Sequence, residues 1–372
     1  GPRAVSLESA LDGQIVICAG PGGVGKTTIS AAIALEGALR GRETVVVTID
    51  PAKRLADALG LEELSNEPRR VPPEKFEEWG LPSCPLDAMM LDTKTTFDDL
   101  VHRYAKSDEK AKGIIDNGFY QAISGALSGT HEYMAMEKLY ELYWSGRYDL
   151  IVIDTPPTRN ALDFLEAPNR MTSFLEGRLL KWFLIPAMGG GRGVFRAMNF
   201  AAVTFLRVVQ KVIGAEALAD TADFFANFEG MYDGFKERAQ AVYELLRRNV
   251  TRFVVVVAPS DQAVEEALFL VGAMSSHGLA FGGLVVNRMH PRFPAAIGEP
   301  TGSALADRLS LIADDFEQVR RREEHSLQRL VAEVPARRWV RVPYLMQEVA
   351  NLAALAQVGK SLFAEAEHLA AP

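Results

Sequence analysis

Residues 20–28, with the sequence GPGGVGKTT, constrain the fold of this chain more than any other segment. They follow a short apolar run, residues 14–19, and precede an Ala/Ile/Leu-rich stretch with helical spacing. The spacing from Gly20 fits the pattern G-x-x-x-x-G-K-[ST] of a phosphate-binding loop. Glycines let backbone N–H groups turn towards phosphate oxygens, and the first turn of the helix adds its positive dipole end. The segment therefore predicts a nucleotide-binding βα unit rather than an ordinary glycine-rich turn.

Two aspartates and the end of this loop supply the groups that phosphoryl transfer to water requires. Lys26 can reach the β- and γ-phosphates, and the Thr27 hydroxyl can hold Mg²⁺. Asp154 follows the apolar run 148–153 in the position of a Walker-B aspartate, so we expect it to bind Mg²⁺ directly or through water. Asp50 ends the strand predicted beside the loop, and we expect it to orient the attacking water and to contribute to the metal site. Either aspartate could instead cap the turn that follows it.

Apolar strands alternate with helical patterns along most of the chain, which predicts an α/β fold with a doubly wound, mostly parallel sheet of the P-loop NTPase class. Ligands of such sheets bind at the carboxyl ends of the strands, where Lys26, Asp50, Asp154 and Asn287 all fall. The strands are predicted at 14–19, 44–49, 86–91, 148–153, 253–258, 282–286 and 340–342. The helices are predicted at 27–39, 98–146 with a break near 124–129, 262–276, 304–332 and 347–369.

The sequence predicts a single domain over residues 1–372, with a helical subdomain formed by 95–147 and 160–247. Residues 65–85 are rich in proline and charge and read as a surface connection. Two very apolar pieces, at 171–184 and 195–209, form either the core of the subdomain or an exposed groove for an apolar partner. The last helix carries apolar residues at helical spacing and few basic residues, which favours docking on the sheet over lying on a membrane.

Composition excludes several other classes of protein. The formal net charge of −8 argues against a general nucleic-acid binder. Two cysteines allow neither a disulfide framework nor a zinc site of paired cysteines. No secretory signal and no apolar run of about 18 residues is visible. We therefore expect a cytoplasmic protein, with any contact to the inner membrane made through a partner.

Five motifs, in order between residue 14 and about residue 350, resemble the ATPases related to ArsA and to the tail-anchored-protein targeting factor. Residues 20–28 resemble their deviant phosphate loop, G-K-G-G-x-G-K-T. Residues 48–57 are similar to their first switch and residues 154–165 to their second. Residues 286–288 resemble the segment whose Asn reads adenine, and 342–344 with Glu348 resemble a loop on the side of the base. In detail the chain is most similar to an actinobacterial branch of anion-transporter ATPases.

The resemblance implies an ATP-dependent dimer that uses ATP/ADP and Mg²⁺ and moves its helical subdomain with the nucleotide state. It implies water activation by Asp50, a role for Lys26 and Asp154 in catalysis, and Mg²⁺ at Thr27, Asp50 and Asp154. The nucleotide-binding residues that it implies share the loop and the two base-side segments. They are Gly20, Gly22, Gly23, Val24, Gly25, Lys26, Thr27, Thr28, Asn287, Arg288, Pro343 and Tyr344.

The chain departs from the family where a signature lysine reaches the partner's nucleotide, because that position is Pro21. It also has Lys53 in place of the first-switch His, and Arg159-Asn160 in place of Gly-His in the second switch. A related subunit with the lysine could form a heterodimer with this chain, and we take that as the hypothesis. Otherwise Lys53 or Arg159 could substitute, or hydrolysis could be slow.

Three functions compete under this resemblance. Arsenite binding in the family uses three thiols, and with two cysteines the chain does not fit it. Delivery of an apolar helical client or a membrane protein fits the apolar residues 171–213, although the cysteine pair that joins eukaryotic dimers through zinc is absent. A weakly hydrolysing or non-hydrolysing nucleotide-dependent scaffold is the alternative from a different class.

Overall fold

A computed structural model describes residues 7–50, 53–123, 130–155, 224, 232–291, 304–334, 339–345 and 349–363. The strands are β1 (Ile15–Ala19), β2 (Thr44–Thr48), β3 (Arg69–Arg70), β4 (Leu86–Met90), β5 (Leu150–Asp154), β6 (Thr251–Val257), β7 (Phe281–Met289) and β8 (Trp339–Pro343). The helices are α1 (Glu8–Leu11), α2 (Lys26–Leu39), α3 (Arg54–Leu59), α4 (Pro73–Glu78), α5 (Thr93–Tyr104), α6 (Asp108–Ile115), α7 (Gly118–Ile123), α8 (Thr130–Trp144), α9 (Tyr232–Arg247), α10 (Asp261–Ser276), α11 (Ala304–Glu333) and α12 (Leu352–Phe363).

The described strands form one sheet in the order β3-β4-β2-β5-β1-β6-β7-β8. Every pairing is parallel except the one between β3 and β4. All residues of β1, β2 and β5 are buried. Continuous apolar runs such as residues 44–49 are typical of parallel strands covered on both faces. The predicted α/β class with a mostly parallel sheet is thus confirmed.

The helices cover the sheet from both sides. The connection from β1 through α2 to β2 runs in one direction across the sheet, and the connection from β6 through α10 to β7 runs in the other. Because both crossovers are right-handed by the general rule, α2 and α10 lie on opposite faces. This reversal of direction beside β1 creates a crevice at the carboxyl ends of the strands, where open α/β sheets bind ligands.

Helix α12 packs on α2 and β8, as its apolar spacing predicted. Its buried residues include Leu352, Leu355, Val358 and Leu362, the four that the sequence placed on one face. The Leu7 N–H donates to the Leu362 carbonyl at 2.9 Å, which ties the start of the described chain to this helix. The helix begins at Leu352 rather than near residue 347, because Asn351 precedes it as a side-chain cap to the Ala354 N–H.

Two other boundaries differ from the prediction. The connection over residues 65–85 contains β3 and α4, because Pro73 starts a helical turn after the extended Pro72 and Phe76 is fully buried. Strand β7 continues three residues beyond Val286 and passes through a register shift against β8. The region 98–146 is helical, in four pieces from α5 to α8. Its expected break at 124–129, the apolar pieces 171–184 and 195–209, and the end of the last helix lie outside the described residues.

By its contacts the chain divides into two compact units. Among the described residues, the sheet unit contains residues up to Leu91, from Leu139 to 155 and from Leu245 onward; the helical unit contains Asp92–Lys138 and the described residues of α9 before 245. The subdomain limits 95–147 and 160–247 remain a prediction. Within the described residues, no helix is both long enough and apolar enough to cross a lipid bilayer.

Candidate functional site

The glycine-rich loop joins β1 to α2 in the geometry that its spacing predicts. Gly20 has φ +153°, and a Cβ there would lie 2.1 Å from the Val256 carbonyl oxygen of β6, so a larger residue cannot fit. Gly25 has φ +94° and precedes the first residue of α2. The loop can therefore bring backbone N–H groups and the start of α2 to one point, as phosphate binding requires.

Lys26 is buried with its ammonium group turned back onto the loop. Its Nζ donates to the Gly20 carbonyl at 3.0 Å and to the Pro21 carbonyl at 2.8 Å. Burial lowers the pKa of Lys26, and the nearby Asp154 carboxylate acts in the opposite direction. A cation held over the loop in this way is poorly solvated, so an anion bound in the loop would be a favourable partner for it.

Asp154 is the last residue of β5 and is almost fully buried. Its Oδ2 accepts hydrogen bonds from the hydroxyls of Thr27 at 2.6 Å and Thr48 at 2.9 Å. Its Oδ1 has no hydrogen-bond partner among the described residues. Burial raises the pKa of Asp154 to about 6, and the two threonine hydrogen bonds only partly counter this effect. Within the described residues, one carboxylate oxygen thus receives no hydrogen bond, and the nearby Lys26 charge offsets the effect of burial only in part.

This environment fits Mg²⁺, which prefers oxygen ligands and usually binds through one or two protein groups together with phosphate oxygens. The unpaired Oδ1 of Asp154 and the hydroxyl of Thr27 are oxygens of the right kind, and they lie beside the loop. No cluster of three His, Cys, Asp or Glu side chains occurs among the described residues. Two protein oxygens beside a phosphate-binding loop suit a metal that is held jointly with a nucleotide.

Asp50 lies two residues beyond the end of β2, on the same edge of the sheet. Its backbone N–H donates to the Thr48 hydroxyl at 3.1 Å, and its Oδ2 lies 3.4 Å from Nη2 of Arg54. The strands beside β1 are β5 and β6, and β2 is separated from β1 by β5. The expectation that Asp50 ends the neighbouring strand was therefore wrong, although Asp50 and Asp154 still face the same cleft.

Asn287 and Arg288 connect β7 to the glycine-rich loop through side-chain hydrogen bonds. Asn287 Nδ2 donates to the Val24 carbonyl at 2.8 Å, and Arg288 Nη1 donates to the Gly23 carbonyl at 2.8 Å. Arg288 has φ +64°, where the register of β7 shifts against β8. The amide of Asn287 is thus engaged with the loop here, and contact of Asn287 with adenine stays a prediction.

A cleft of about 790 Å³ runs from the loop to the ends of β7 and β8. One end is polar and holds Lys26, Thr27, Asp50 and Asp154. The other end is largely apolar. Its lining there includes Val342, Pro343, Tyr344, Leu345 and Val349. The polar end suits phosphate groups, and the apolar end suits a flat ring. A nucleotide has both parts, so it fits this cleft.

Most residues expected at the site line this one cleft, but several do not. Those that line it are Gly23, Gly25, Lys26, Thr27, Thr28, Asp50, Asp154, Asn287, Arg288, Pro343 and Tyr344. Gly20, Gly22 and Val24 shape the loop without being among the lining residues. Pro51, Arg159, Asn160 and Glu348 lie outside the described residues.

The structure adds residues that the sequence interpretation did not assign to the site. Arg54 and Asp57 line the cleft from α3, four and seven residues after Asp50, whereas Lys53 is not among the lining residues. Helical spacing after Asp50 was the available signal, because residues four and seven positions on share one face. Thr48 was visible only as a strand residue, and its hydrogen bond to Asp154 depends on the pairing of β2 with β5.

A strand-loop-helix phosphate site, a buried aspartate at the end of the adjacent strand and a cleft of this form define a P-loop protein that binds nucleoside triphosphate. The family model described as anion-transporting ATPase matches residues 13–364. The chain therefore belongs to the ArsA-type family of anion-transporting ATPases, and it is an ATPase.

Curated relatives are similar to the chain over most of its length. The ATPase GET3 of Malassezia globosa is 26% identical over 287 residues, which cover 76% of this chain and 76% of that protein. The ATPase ASNA1 homolog of Babesia bovis is 26% identical over 347 residues, which cover 92% of this chain and 85% of that protein. The predicted family, suspected from five short motifs, is thus confirmed along nearly the whole chain.

Proposed function

We propose that this ATPase binds Mg·ATP in the cleft and couples hydrolysis to movement of the helical unit. One observation carries the proposal: the buried Asp154, with Oδ2 bonded to Thr27 and Thr48 and Oδ1 unpaired within the described structure, stands beside Lys26 and the loop. A carboxylate in that state gains most from a divalent cation. When bound, Mg²⁺ would neutralise charge that develops on the phosphate oxygens.

The residues of the cleft divide the remaining work. Lys26 would leave the Gly20 and Pro21 carbonyls and contact the phosphates, because a phosphate is a stronger acceptor for a buried ammonium than a neutral carbonyl. Thr27 and Asp154 would hold the metal, with Asp50 as a further ligand through water. Asp50 would also orient the attacking water, since its carboxylate is only partly exposed and lines the cleft.

The cation at the transition state would come from a second subunit. Proline carries no charge, so Pro21 cannot supply this cation. Arg288 is bonded to the loop, and Arg54 is the remaining arginine on the described lining, with a loose 3.4 Å contact to Asp50. We therefore favour a dimer with a paralogue that carries the signature lysine, because such cations accelerate phosphoryl transfer by several powers of ten.

The cargo would be an apolar helical client or a membrane-protein partner bound by residues 171–213. The similarity to the GET3 ATPases and the number of Phe and Met residues in this segment support that choice. A cytoplasmic location, with contact to the inner membrane through the partner, belongs to the same proposal. Replacing Phe and Met residues of 171–213 with Ser should abolish binding of an apolar helical peptide while the thermal unfolding temperature stays the same.

The central test is hydrolysis of ATP by the purified chain with Mg²⁺, alone and with the lysine-bearing relative. We expect Lys26→Ala to weaken ATP binding and Asp50→Asn to retain ATP but lose hydrolysis by about a hundredfold or more. Lys360→Ala is the control, because Lys360 is exposed and does not line the cleft. ATP that stays bound and intact even with the relative present would favour the nucleotide-dependent scaffold instead.

A further inference from the structure

Tyr344 stands at the apolar end of the cleft with one face of its ring covered by His290. The two rings are stacked, with centroids 5.4 Å apart and 7° between their planes. The Tyr344 N–H donates to the Met289 carbonyl at 2.7 Å, so the stack bridges the ends of β7 and β8. Tyr344 is 51% exposed and lines the cleft, whereas His290 is not among the lining residues. His290 therefore supports the tyrosine ring from behind.

The imidazole of His290 is in turn held by a buried glutamate. Glu323, in the middle of α11, accepts from the His290 backbone N–H at 3.0 Å with one oxygen and contacts Nδ1 at 2.5 Å with the other. Phe316 of the same helix packs on the ring, with centroids 5.8 Å apart. The backbone contact fixes the main chain at His290, and the Nδ1 contact together with Phe316 fixes the orientation of the imidazole. Such supporting contacts decide how accurately a binding group is held.

Helix α11 is itself tied to β8 next to this point. Arg341 of β8 forms two hydrogen bonds with Glu324, at 2.9 and 3.1 Å, and Glu324 also lies 3.6 Å from Arg320. The helix that carries Glu323 is thus connected to the strand that Tyr344 directly follows. The stack has little freedom to tilt away from the cleft while these contacts last.

We infer that the Glu323–His290 pair positions Tyr344 as the stacking platform for the nucleobase, which rests on the proposed binding of ATP in this cleft. Phosphates bound at Lys26 and Thr27 leave the base to point along the cleft towards its apolar end. There the uncovered face of Tyr344 offers the π-surface that bases prefer, and stacking on an aromatic ring accounts for a large part of base affinity in proteins. Glu323 and His290 act through Tyr344, without touching the nucleotide.

The test separates base binding from phosphate binding. Calorimetric titrations with Mg·ATP and with inorganic tripolyphosphate would be made on the wild-type chain and on Tyr344→Ala, Tyr344→Phe, His290→Ala and Glu323→Gln. We expect Tyr344→Ala to weaken ATP about tenfold, and His290→Ala and Glu323→Gln about threefold, with tripolyphosphate affinity unchanged. Tyr344→Phe keeps the ring and should retain ATP affinity. His325→Ala, on the exposed side of α11, is the matched control.

Each outcome decides the inference. Equal loss of ATP and tripolyphosphate affinity in His290→Ala would show that the pair supports the fold of the whole cleft, and not the base platform. An unchanged ATP affinity in Tyr344→Ala, an exposed residue whose removal leaves no cavity, would overturn the platform itself. A wild-type chain that binds neither ligand would overturn the proposed function. Binding of tripolyphosphate as strong as binding of ATP would overturn the inference alone.

Discussion

Asp154 shows how a single residue can be prepared for a ligand by its burial. Two threonine hydroxyls from different elements bond the same oxygen, and the other oxygen receives no hydrogen bond within the described residues. The free energy of the folded protein is raised by this arrangement, because a buried carboxylate without full compensation is costly. Such a cost is expected at a site that binds a cation. The same burial raises the pKa of Asp154, and this shift can be measured.

The pKa of Asp154 predicts how stability depends on pH without nucleotide. Burial raises this pKa to about 6, against about 3.9 in an unfolded chain. Between these values the folded protein holds a proton that the unfolded chain has released, so stability falls as the pH rises towards 6 and levels off above it. We expect the wild type to lose about 1 kcal/mol relative to Asp154→Asn between pH 5 and pH 8.

Urea denaturation of both proteins at several pH values would measure this difference. Asp154→Asn keeps the shape of the side chain and the acceptor for Thr27 and Thr48 but cannot titrate. Because other groups titrate equally in both proteins, their contributions cancel in the comparison. A stability difference that stays constant from pH 5 to pH 8 would contradict the raised pKa.

Gly25 allows a second prediction at the residue scale, because its Cβ position is occupied. A methyl group there would lie 2.3 Å from Nδ2 of Asn287, the atom that bonds the Val24 carbonyl. Gly25→Ala should displace Asn287, lower stability by about 2 kcal/mol or more and weaken nucleotide binding at least tenfold. Gly23→Ala is the control, because Gly23 also has a positive φ, +75°, but none of the residues that the structure describes lies within 4 Å of its Cβ position. If both variants lost stability and nucleotide affinity to a similar degree, backbone strain at a positive φ would explain the whole effect, and the clash with Asn287 would contribute nothing.

At the scale of elements, the sequence predicted the strands and helices that follow from the hydrophobic periodicity and from the glycine-rich loop. The runs at 44–49 and 148–153 became β2 and β5 because a strand covered on both faces is apolar throughout. The short β3 and α4 were missed, since two exposed arginines and a proline-rich turn carry no periodic signal. Their formation depends on pairing with β4 and on burial of Phe76, which are tertiary effects.

The same distinction, between local sequence signals and tertiary contacts, applies to the residues of the site. Lys26 was proposed from the motif of the loop, and Asp50 and Asp154 from their positions after strands, whose carboxyl ends the parallel sheet brings to one edge. The order of strands was not accessible, and for that reason Asp50 was assigned to the strand next to the loop. His290 and Glu323 lie 33 residues apart in the chain, and nothing in the spacing of these two residues indicated a contact. Pairs of this kind depend on tertiary contacts, here those of α11 with His290 after β7 and with Arg341 of β8.

The prediction at the scale of elements concerns the docking of helix α12. Leu355 is fully buried where α12 packs on α2. Leu355→Ala should lower the free energy of unfolding by about 3 kcal/mol, because it removes buried methyl groups and leaves a cavity between two rigid helices. Chemical denaturation would measure the loss. Lys360→Ala, on the exposed side of the same helix, should change the stability by less than about 0.5 kcal/mol. A loss below about 1 kcal/mol for Leu355→Ala would show that the helix is only loosely docked.

At the scale of the whole molecule, the central question is where the cation for the transition state comes from. The described lining of the cleft includes three carboxylates, Asp50, Asp57 and Asp154. Lys26 lies near Asp154, and Arg54 lies 3.4 Å from Asp50. Lys26 belongs to the phosphate loop, and Arg54 is 70% exposed and only loosely paired. A second chain that extends a lysine into the site, as we propose, would complete it, and hydrolysis would then be a property of the assembly.

The variant Pro21→Lys tests this dependence directly. We expect the wild-type chain alone to hydrolyse ATP slowly, with a turnover per molecule that does not change with protein concentration. Pro21→Lys should turn over at least tenfold faster, and its turnover should rise with concentration, because each copy then supplies a cation to a second copy. Pro21→Ala is the control, since it removes the proline without adding charge. If wild-type turnover itself rises with concentration, the chain is a self-sufficient homodimer, and Arg54→Ala should then abolish the rise.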